Sequence, residues 1–306
     1  MAVIKHLASG ESHTLLSSHL VGRGPTCPLS LTNRLVSGEH AVFRWTGSHW
    51  ELRDLGSRNG TFDGETRLDS GATMQITVGS QVAFGDPGDL FEIVDDGPPS
   101  AMAFGDNGEV RAAEGGLLSL PDEDHPELTV FEDGPGRWFV EEQDGTRRPT
   151  HDLEQVEAGG QLWRLELPVV LESTLQADAG PVLLSNVSLH FTVSRDQESI
   201  NISMHHGGQK TPLQTRAHAS LLLSLAKARF EDSRNSELPH GEQGWVHVED
   251  LVTMLRTNVN QLNVSIFRAR RQFALIKVLG ATGIIERRPG SRQIRLGIPH
   301  VEIETL

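Results

Sequence analysis

Two polar clusters near the N-terminus carry the residue types from which chemistry is built. Ser37 and His40 stand three positions apart in VSGEH, and the turn Ser57-Arg58-Asn59-Gly60-Thr61 follows about twenty residues later. A serine beside a histidine can serve as nucleophile and general base, but it then needs an orienting carboxylate, an oxyanion hole and a strained elbow that presents the hydroxyl. No GxSxG surrounds Ser37 and no spacing singles out an aspartate, so catalysis has no constellation to work with. Metal binding fares no better. The sequence has 14 His but no HExxH or CxxC, and adjacent histidines such as His205 and His206 point to opposite faces of a strand. The chain is therefore expected to be no enzyme and to need no metal or cofactor.

The same residues suit a different task. Recognition of a phosphate needs a guanidinium for charge, with hydroxyl, amide and backbone donors to satisfy the remaining oxygens. Gly22-Arg23, Ser37 and Arg58-Asn59 supply that set, provided a rigid scaffold gathers their three loops at one end. Such a scaffold is legible up to about residue 94. Short β-type runs (13–16, 41–45, 50–55, 81–84, 90–94) alternate there with Gly, Asp, Asn and Ser clusters, and no helix of useful length fits. That pattern predicts a sandwich of antiparallel strands.

In order, Gly-Arg, Ser-x-x-His and Ser-x-Asn-Gly-Thr, separated by strands bearing Leu and Trp, resemble the forkhead-associated (FHA) domain over about residues 1–95. The resemblance implies a β-sandwich that binds phosphothreonine peptides. Carried over by position, it gives Arg23 and Ser37 the phosphate, Arg58 the phosphate or the peptide backbone, and Asn59 the peptide main chain. Arg34 is expected to reinforce that grip or to select the residues following the phosphothreonine. Gly22, His40, Gly60 and Thr61 take structural roles, His40 as a brace for its loop. The sequence departs from the family at Gly38, where a cation or polar residue is common, and so lacks one contact to the ligand.

Charge is segregated along the chain. The formal net is −14, yet residues 87–180 hold 22 Asp and Glu against 5 Lys and Arg, whereas residues 251–306 hold 9 Lys and Arg against 3 Glu. Different parts are expected to meet different partners. After the Pro/Gly boundary at 95–100, the acidic middle reads as β-rich, with runs at 137–143 and 161–171. The stretch from Trp138 to Thr146 faintly echoes the surroundings of Trp50, as a degenerate half of the first domain would. From charge alone, this middle part is a spacer, a docking surface or a cover for the basic C-terminal helix.

That helix is the third of the C-terminal region, which reads as strands at 187–194 and 199–205, helices at 214–230, 247–255 and 258–275, and a hairpin at 284–296. At 100° per residue, Val259, Leu262, Ile266, Ala269 and Phe273 share a core face, Asn260, Arg268 and Arg271 lie opposite, and Gln261, Asn263, Ser265, Arg270 and Gln272 flank them. No acid occurs from 251 to 285, and Arg, Asn and Gln are the side chains that read base edges and grip phosphates in a major groove. The hairpin adds Arg287, Arg288, Arg292 and Arg295. The order of elements over about residues 182–300 resembles the winged-helix effector domains of bacterial response regulators, with LNVSIFRARRQF in the place of the recognition helix and a longer loop at 231–244. The resemblance implies contacts to double-stranded DNA from Asn260, Asn263, Ser265, Arg268, Arg270, Arg271, Arg287, Arg288 and Arg292.

The expected organisation is multidomain: an all-β FHA sandwich at 1–95, an acidic β-rich middle at 100–180 and an α+β winged helix at 182–306. The single Cys27 excludes an intramolecular disulfide, no apolar run approaches the ~20 residues of a membrane helix, and no signal-peptide core opens the sequence. A cytoplasmic protein without membrane contact is expected. Its combined role would be a phosphorylation-responsive transcriptional regulator, its partners DNA, an upstream Ser/Thr kinase and a phosphothreonine-containing protein or a second copy of itself. The alternative is a non-enzymatic phospho-dependent scaffold whose winged helix binds protein.

Overall fold

The computed structural model describes residues 1–134, 136–168, 182–196, 199–214 and 218–305. They form two compact units, one of residues 1–101 with 166–168, the other of residues 102–165 and the described chain from 182 onward.

In the first unit, period-two alternation sorts side chains between two faces. Ala41 and Phe43 on the strand Ala41–Trp45, and Trp50, Leu52 and Asp54 on the strand Trp50–Asp54, are buried. The antiparallel register pairs Phe43 with Leu52 and Ala41 with Asp54, so one carboxylate ends an otherwise apolar row. Five strands form one sheet, in the order Leu29–Ser30, Ser18–Gly22, Ala41–Trp45, Trp50–Asp54, Thr73–Ile76. Six form the other, in the order Ser12–Thr14, Val3–His6, Leu90–Asp95, Gln81–Phe84, Thr61–Asp63, Thr66–Arg67. Ile4, Val21, Phe43, Trp50, Leu52, Val82, Phe84 and Ile93 fill the core, with Phe84 edge-on to Phe43 and Phe91 at 6.2 and 5.6 Å. The strands expected at 41–45 and 81–84 have those bounds, and the other three differ by at most two residues.

The second unit begins with two four-stranded sheets from residues 102–166. One of them orders Leu117–Pro121, Pro126–Glu132, Trp138–Glu142 and Arg147–Thr150. From 182 onward a third four-stranded sheet includes Ser188–Val193 and Ile200–His206, with His300–Thr305 running parallel to the former. Three helices follow: α1 (Ala219–Ser233), α2 (Val248–Met254) and α3 (Val259–Leu275). Asn258 caps α3 by accepting from the Gln261 N–H at 2.8 Å, satisfying a donor that a helix start leaves unpaired. The hairpin Ile285–Arg288 and Gln293–Leu296 comes next. The core joins Leu189, Phe191, Met204, Leu222, Leu225, Leu262, Ile266 and Phe273. Of the expected start of α1, residues 215–217 lie outside the described residues, as do 169–171 of the run expected at 161–171.

The helical wheel of α3 needs correction. Leu262, Ile266, Ala269 and Phe273 are buried as expected, but Val259, in the first turn, is 43% exposed. Asn263, Val264, Phe267 and Arg270 are buried as well, because the sheet of Leu117–Pro121 packs against that side. Phe267 joins Leu117 and Phe131 in a small apolar cluster. The wheel assumed one packing partner, and α3 has two. Among the described residues no helix is long and apolar enough to cross a membrane.

Candidate functional site

Three loops meet at one end of the first unit. The strand Ser18–Gly22 delivers Arg23, the segment before Ala41–Trp45 delivers Ser37, and the turn after Trp50–Asp54 delivers Arg58 and Asn59. Backbone bonds join the first two loops: the Arg23 N–H donates to Ser37 O and the Gly24 N–H to Gly38 O, both at 2.8 Å. This approach requires Gly22, where a Cβ would lie 2.2 Å from Gly38 O. The third loop is tied in by the Arg58 N–H, which donates to Ser37 Oγ at 3.1 Å, and by Asn59 Nδ2, which donates to Leu35 O at 2.7 Å.

His40 sits beneath this junction, fully buried. Its Nδ1 accepts from the Ser37 N–H at 3.0 Å, so the ring proton resides on Nε2 and is donated to Gly60 O at 3.0 Å. Burial pushes the imidazole below the ordinary histidine range, although the bond to Gly60 O and the charge of Asp54 pull the other way. The neutral ring fits both bonds. It reaches the amide of Ser37 and not the hydroxyl, which removes the geometry of a nucleophile and its base.

Sequence reasoning missed Asp54. Its Oδ1 accepts from the N–H groups of Gly56 and Ser57 at 2.8 and 2.9 Å, and its Oδ2 from Ser57 Oγ and Thr61 Oγ1 at 2.6 and 2.7 Å. Burial raises this carboxyl, but those four bonds outweigh it and hold Asp54 below the usual aspartate range. The turn closes as the Gly60 N–H donates to Ser57 Oγ at 3.0 Å. Gly60 has φ 92°, and a Cβ there would lie 2.2 Å from Arg67 Nε. The available signal was an Asp three residues before a turn Ser, an arrangement in which the side chain bonds to the backbone ahead of it.

On this braced frame Arg23, Arg34 and Arg58 are exposed, and so is Gly38. Arg23 Nε donates to Val36 O at 3.3 Å. Residues 19–85 match the family model of the FHA domain. An FHA domain spans this part of the chain. Its matched stretch takes in all three loops, with Arg23, Ser37, His40 and Asn59 within it.

Solved FHA-containing structures are similar to about a third of the chain. The FHA domain of FhaA, complexed with an intracellular domain, is 25% identical, covering 30% of this chain and 99% of its own at a TM-score of 0.27. Mycobacterium tuberculosis EmbR, in complex with a low-affinity phosphopeptide, is 26% identical, covering 32% of this chain and 25% of its own at 0.29. The FHA domain of the CT664 protein from Chlamydia trachomatis is 26% identical, covering 31% and 96% at 0.28. No curated protein matches the sequence.

The residues expected to touch DNA have partners within the protein. Arg270 is 1% exposed, with Nη1 donating to Glu141 Oε1 at 2.5 Å and Nη2 to Ile285 O at 2.6 Å. Asn263, 4% exposed, accepts from Arg287 Nη2 at 3.0 Å. Arg287 also donates to Gln143 O and lies 3.5 Å from Glu141; burial and the neighbouring Arg270 push it down to about 10, against the pull of Glu141. Arg268 pairs with Asp124 at 2.9 Å, and Arg271 with Glu123 at 2.6 Å and with Glu114. Asn260 Nδ2 donates to Asp124 O at 3.1 Å, and Ser265 Oγ to Gln261 O at 2.9 Å. On the hairpin, Arg288 pairs with Glu242 and Arg292 with Glu249, each at 2.8 Å. The guanidiniums of Arg288 and Arg295 lie over the Trp245 ring, 4.4 and 4.5 Å from its centre. In this arrangement Arg270 and Asn263 are interior residues. Among the described residues, no group of three or more His, Cys, Asp or Glu is placed to hold a metal ion.

Proposed function

We propose that the chain is a binding protein, and no enzyme, whose FHA domain holds phosphothreonine peptides. Arg23, Ser37 and Arg58 take the phosphate, and Asn59 and Arg34 the peptide. The observation that carries this reading is the convergence of the three loops on the neutral His40 brace, which holds a hydroxyl and exposed guanidiniums on one rigid rim. Titration of the full chain with a phosphothreonine peptide and its unphosphorylated twin is the test. Preference for the phosphorylated form is expected, and equal affinity would end the proposal. The peptide would come from a protein phosphorylated by an upstream Ser/Thr kinase, or from a second copy of this chain.

A second reading gives the region from 182 onward a winged-helix role on double-stranded DNA, which would make the protein a phosphorylation-responsive transcriptional regulator. Its support is the basic hairpin following α3 and the exposure of Arg268 and Arg292 at 46% and 69% of their side chains. Duplex binding should weaken with salt, and substituting any one arginine that grips a phosphate should flatten the log–log slope by roughly 0.9. Absence of a mobility shift at low salt would favour the alternative, a scaffold whose winged helix binds protein.

A further inference from the structure

We infer that the acidic sheet of residues 117–150, with the turn Asp122-Glu123-Asp124 and the adjoining Glu114, is a built-in occupant of the α3 face that a nucleic acid would need, and that this face becomes available when the sheet lets go. The inference rests on the DNA reading above and adds its regulation. The polar groups of α3 that would meet phosphates already meet carboxylates or a carbonyl: Arg268 and Asn260 at Asp124, Arg271 at Glu123 and Glu114, Arg270 at Glu141. Sequence position separates these partners by well over a hundred residues, so local helix pairing does not account for them.

The contact is graded around the helix. The side chains of Arg270 and Glu141 are each 2% exposed, whereas those of Arg268 and Asp124 are 46% and 74% exposed. Exposed ion pairs are weak and screened by salt, and buried ones much less so. The contact therefore has a firm side and a loose side. On the loose side Asp122, Glu123 and Asp124 are consecutive like charges. Burial raises the carboxyl of Glu123, Arg268 lowers it, and Asp124 and Asp122 raise it further. Their crowding is relieved by the arginines of α3. A groove bounded by Asp124, Asn260, Ser265 and Arg268 opens on this side, and gives an incoming polyanion a place to begin displacing the turn. A run of carboxylates and a phosphate backbone compete for the same guanidiniums, so one excludes the other.

The test uses the full chain and a labelled mixed-sequence DNA duplex read by anisotropy. A rim variant, Glu114→Gln with Glu123→Gln and Asp124→Asn, should bind about tenfold tighter than wild type, the size expected from three weak exposed pairs. A control, Asp106→Asn with Glu109→Gln and Glu157→Gln, removes the same charge from exposed positions of the same unit outside residues 114–150, and should change affinity less than about twofold. Adding Arg268→Ala and Arg271→Ala to the rim variant should cancel its gain. Circular dichroism and phosphopeptide binding report that each variant is folded. Equal affinity of wild type, rim and control variants overturns the cover and leaves the DNA reading standing. Equal gains by rim and control variants overturn it too, since bulk charge would then explain both. Binding by none of them, with phosphopeptide binding intact, overturns the DNA reading and the cover with it.

Discussion

The loop rim of the FHA domain and the polar face of α3 are both built from arginine, and they hold it in opposite states. At the rim, the backbone of each loop is satisfied by its neighbours, so Arg23, Arg34 and Arg58 remain exposed to an incoming anion. On α3, Arg268, Arg270 and Arg271 are taken up by four carboxylates from elsewhere in the same unit. Whether an arginine binds a ligand or a fold is decided by what else can reach it. Residue type alone does not distinguish the two.

The contrast is most easily broken at Glu141. It is 3% exposed, and although burial raises its carboxyl, Arg270, Arg147 and Arg287 outweigh that and hold it below the usual glutamate range. Glu141→Gln leaves Arg270 buried beside a neutral partner and should cost the second unit about 3–5 kcal/mol in a urea melt. Phosphopeptide affinity should be unchanged. A cost below about 1 kcal/mol would mean that the α3 contact is ornamental and that the two regions differ less than their geometry implies.

Acid should separate the units next. His19 is 4% exposed, with Nδ1 accepting from the Leu16 N–H at 3.1 Å. Burial, helped by His13, lowers it from 6.5 to about 4. The unfolded chain therefore takes up a proton near pH 6.5 while the folded one waits until about 4. The first unit should lose stability across that window, by roughly 3 kcal/mol from this group, with His40 acting in the same direction. Glu141 acts in the same direction but in a lower window: its contribution is complete above 4.5 and is lost as pH falls below it. Calorimetry between pH 7 and pH 5 should show the FHA transition moving down while the contribution of Glu141 to the second unit persists.

Smaller effects concern the rim itself. Arg23→Ala should weaken phosphopeptide binding about ten- to hundredfold, the range for one charge-assisted hydrogen bond, and leave the melt of the second unit in place. Gly38→Arg should strengthen binding by up to about fivefold, one exposed cation's worth. A Cβ at Gly38 meets nothing within 4 Å, and the Gly38 carbonyl stays fixed by Gly24 N–H and by the Cys27 thiol at 3.3 Å. A loss of affinity there would show that the bare backbone at this position is itself part of the grip.

Most of the FHA unit was legible because its signals are local. Alternation gave the strands and turns of fixed composition gave the loops, while the brace at His40 was implied by the resemblance to the FHA domain. Asp54 escaped because its importance depends on ending a buried row, which follows from register and not from residue type. In the second unit, α3 was readable in its bounds to within a residue, but its environment was not. The absence of acids from 251 to 285 looked like a vacancy for DNA; the acids were supplied from residues 114–141, and a one-helix wheel cannot register a partner so distant in sequence. The same limit explains why Asn263 and Arg270 were read as flanking surface residues and are buried.

The single imidazole of His40 has a further consequence for how a ligand arrives. With its proton confined to Nε2 and both ring nitrogens engaged, it spans the Ser37 and Gly60 loops before any peptide is present. The ordering entropy of those loops has been spent during folding, so little of the binding free energy is diverted to arranging them. Association should proceed as one diffusion-limited step without a slow conformational phase, and selectivity among phosphopeptides should appear chiefly as differences in residence time.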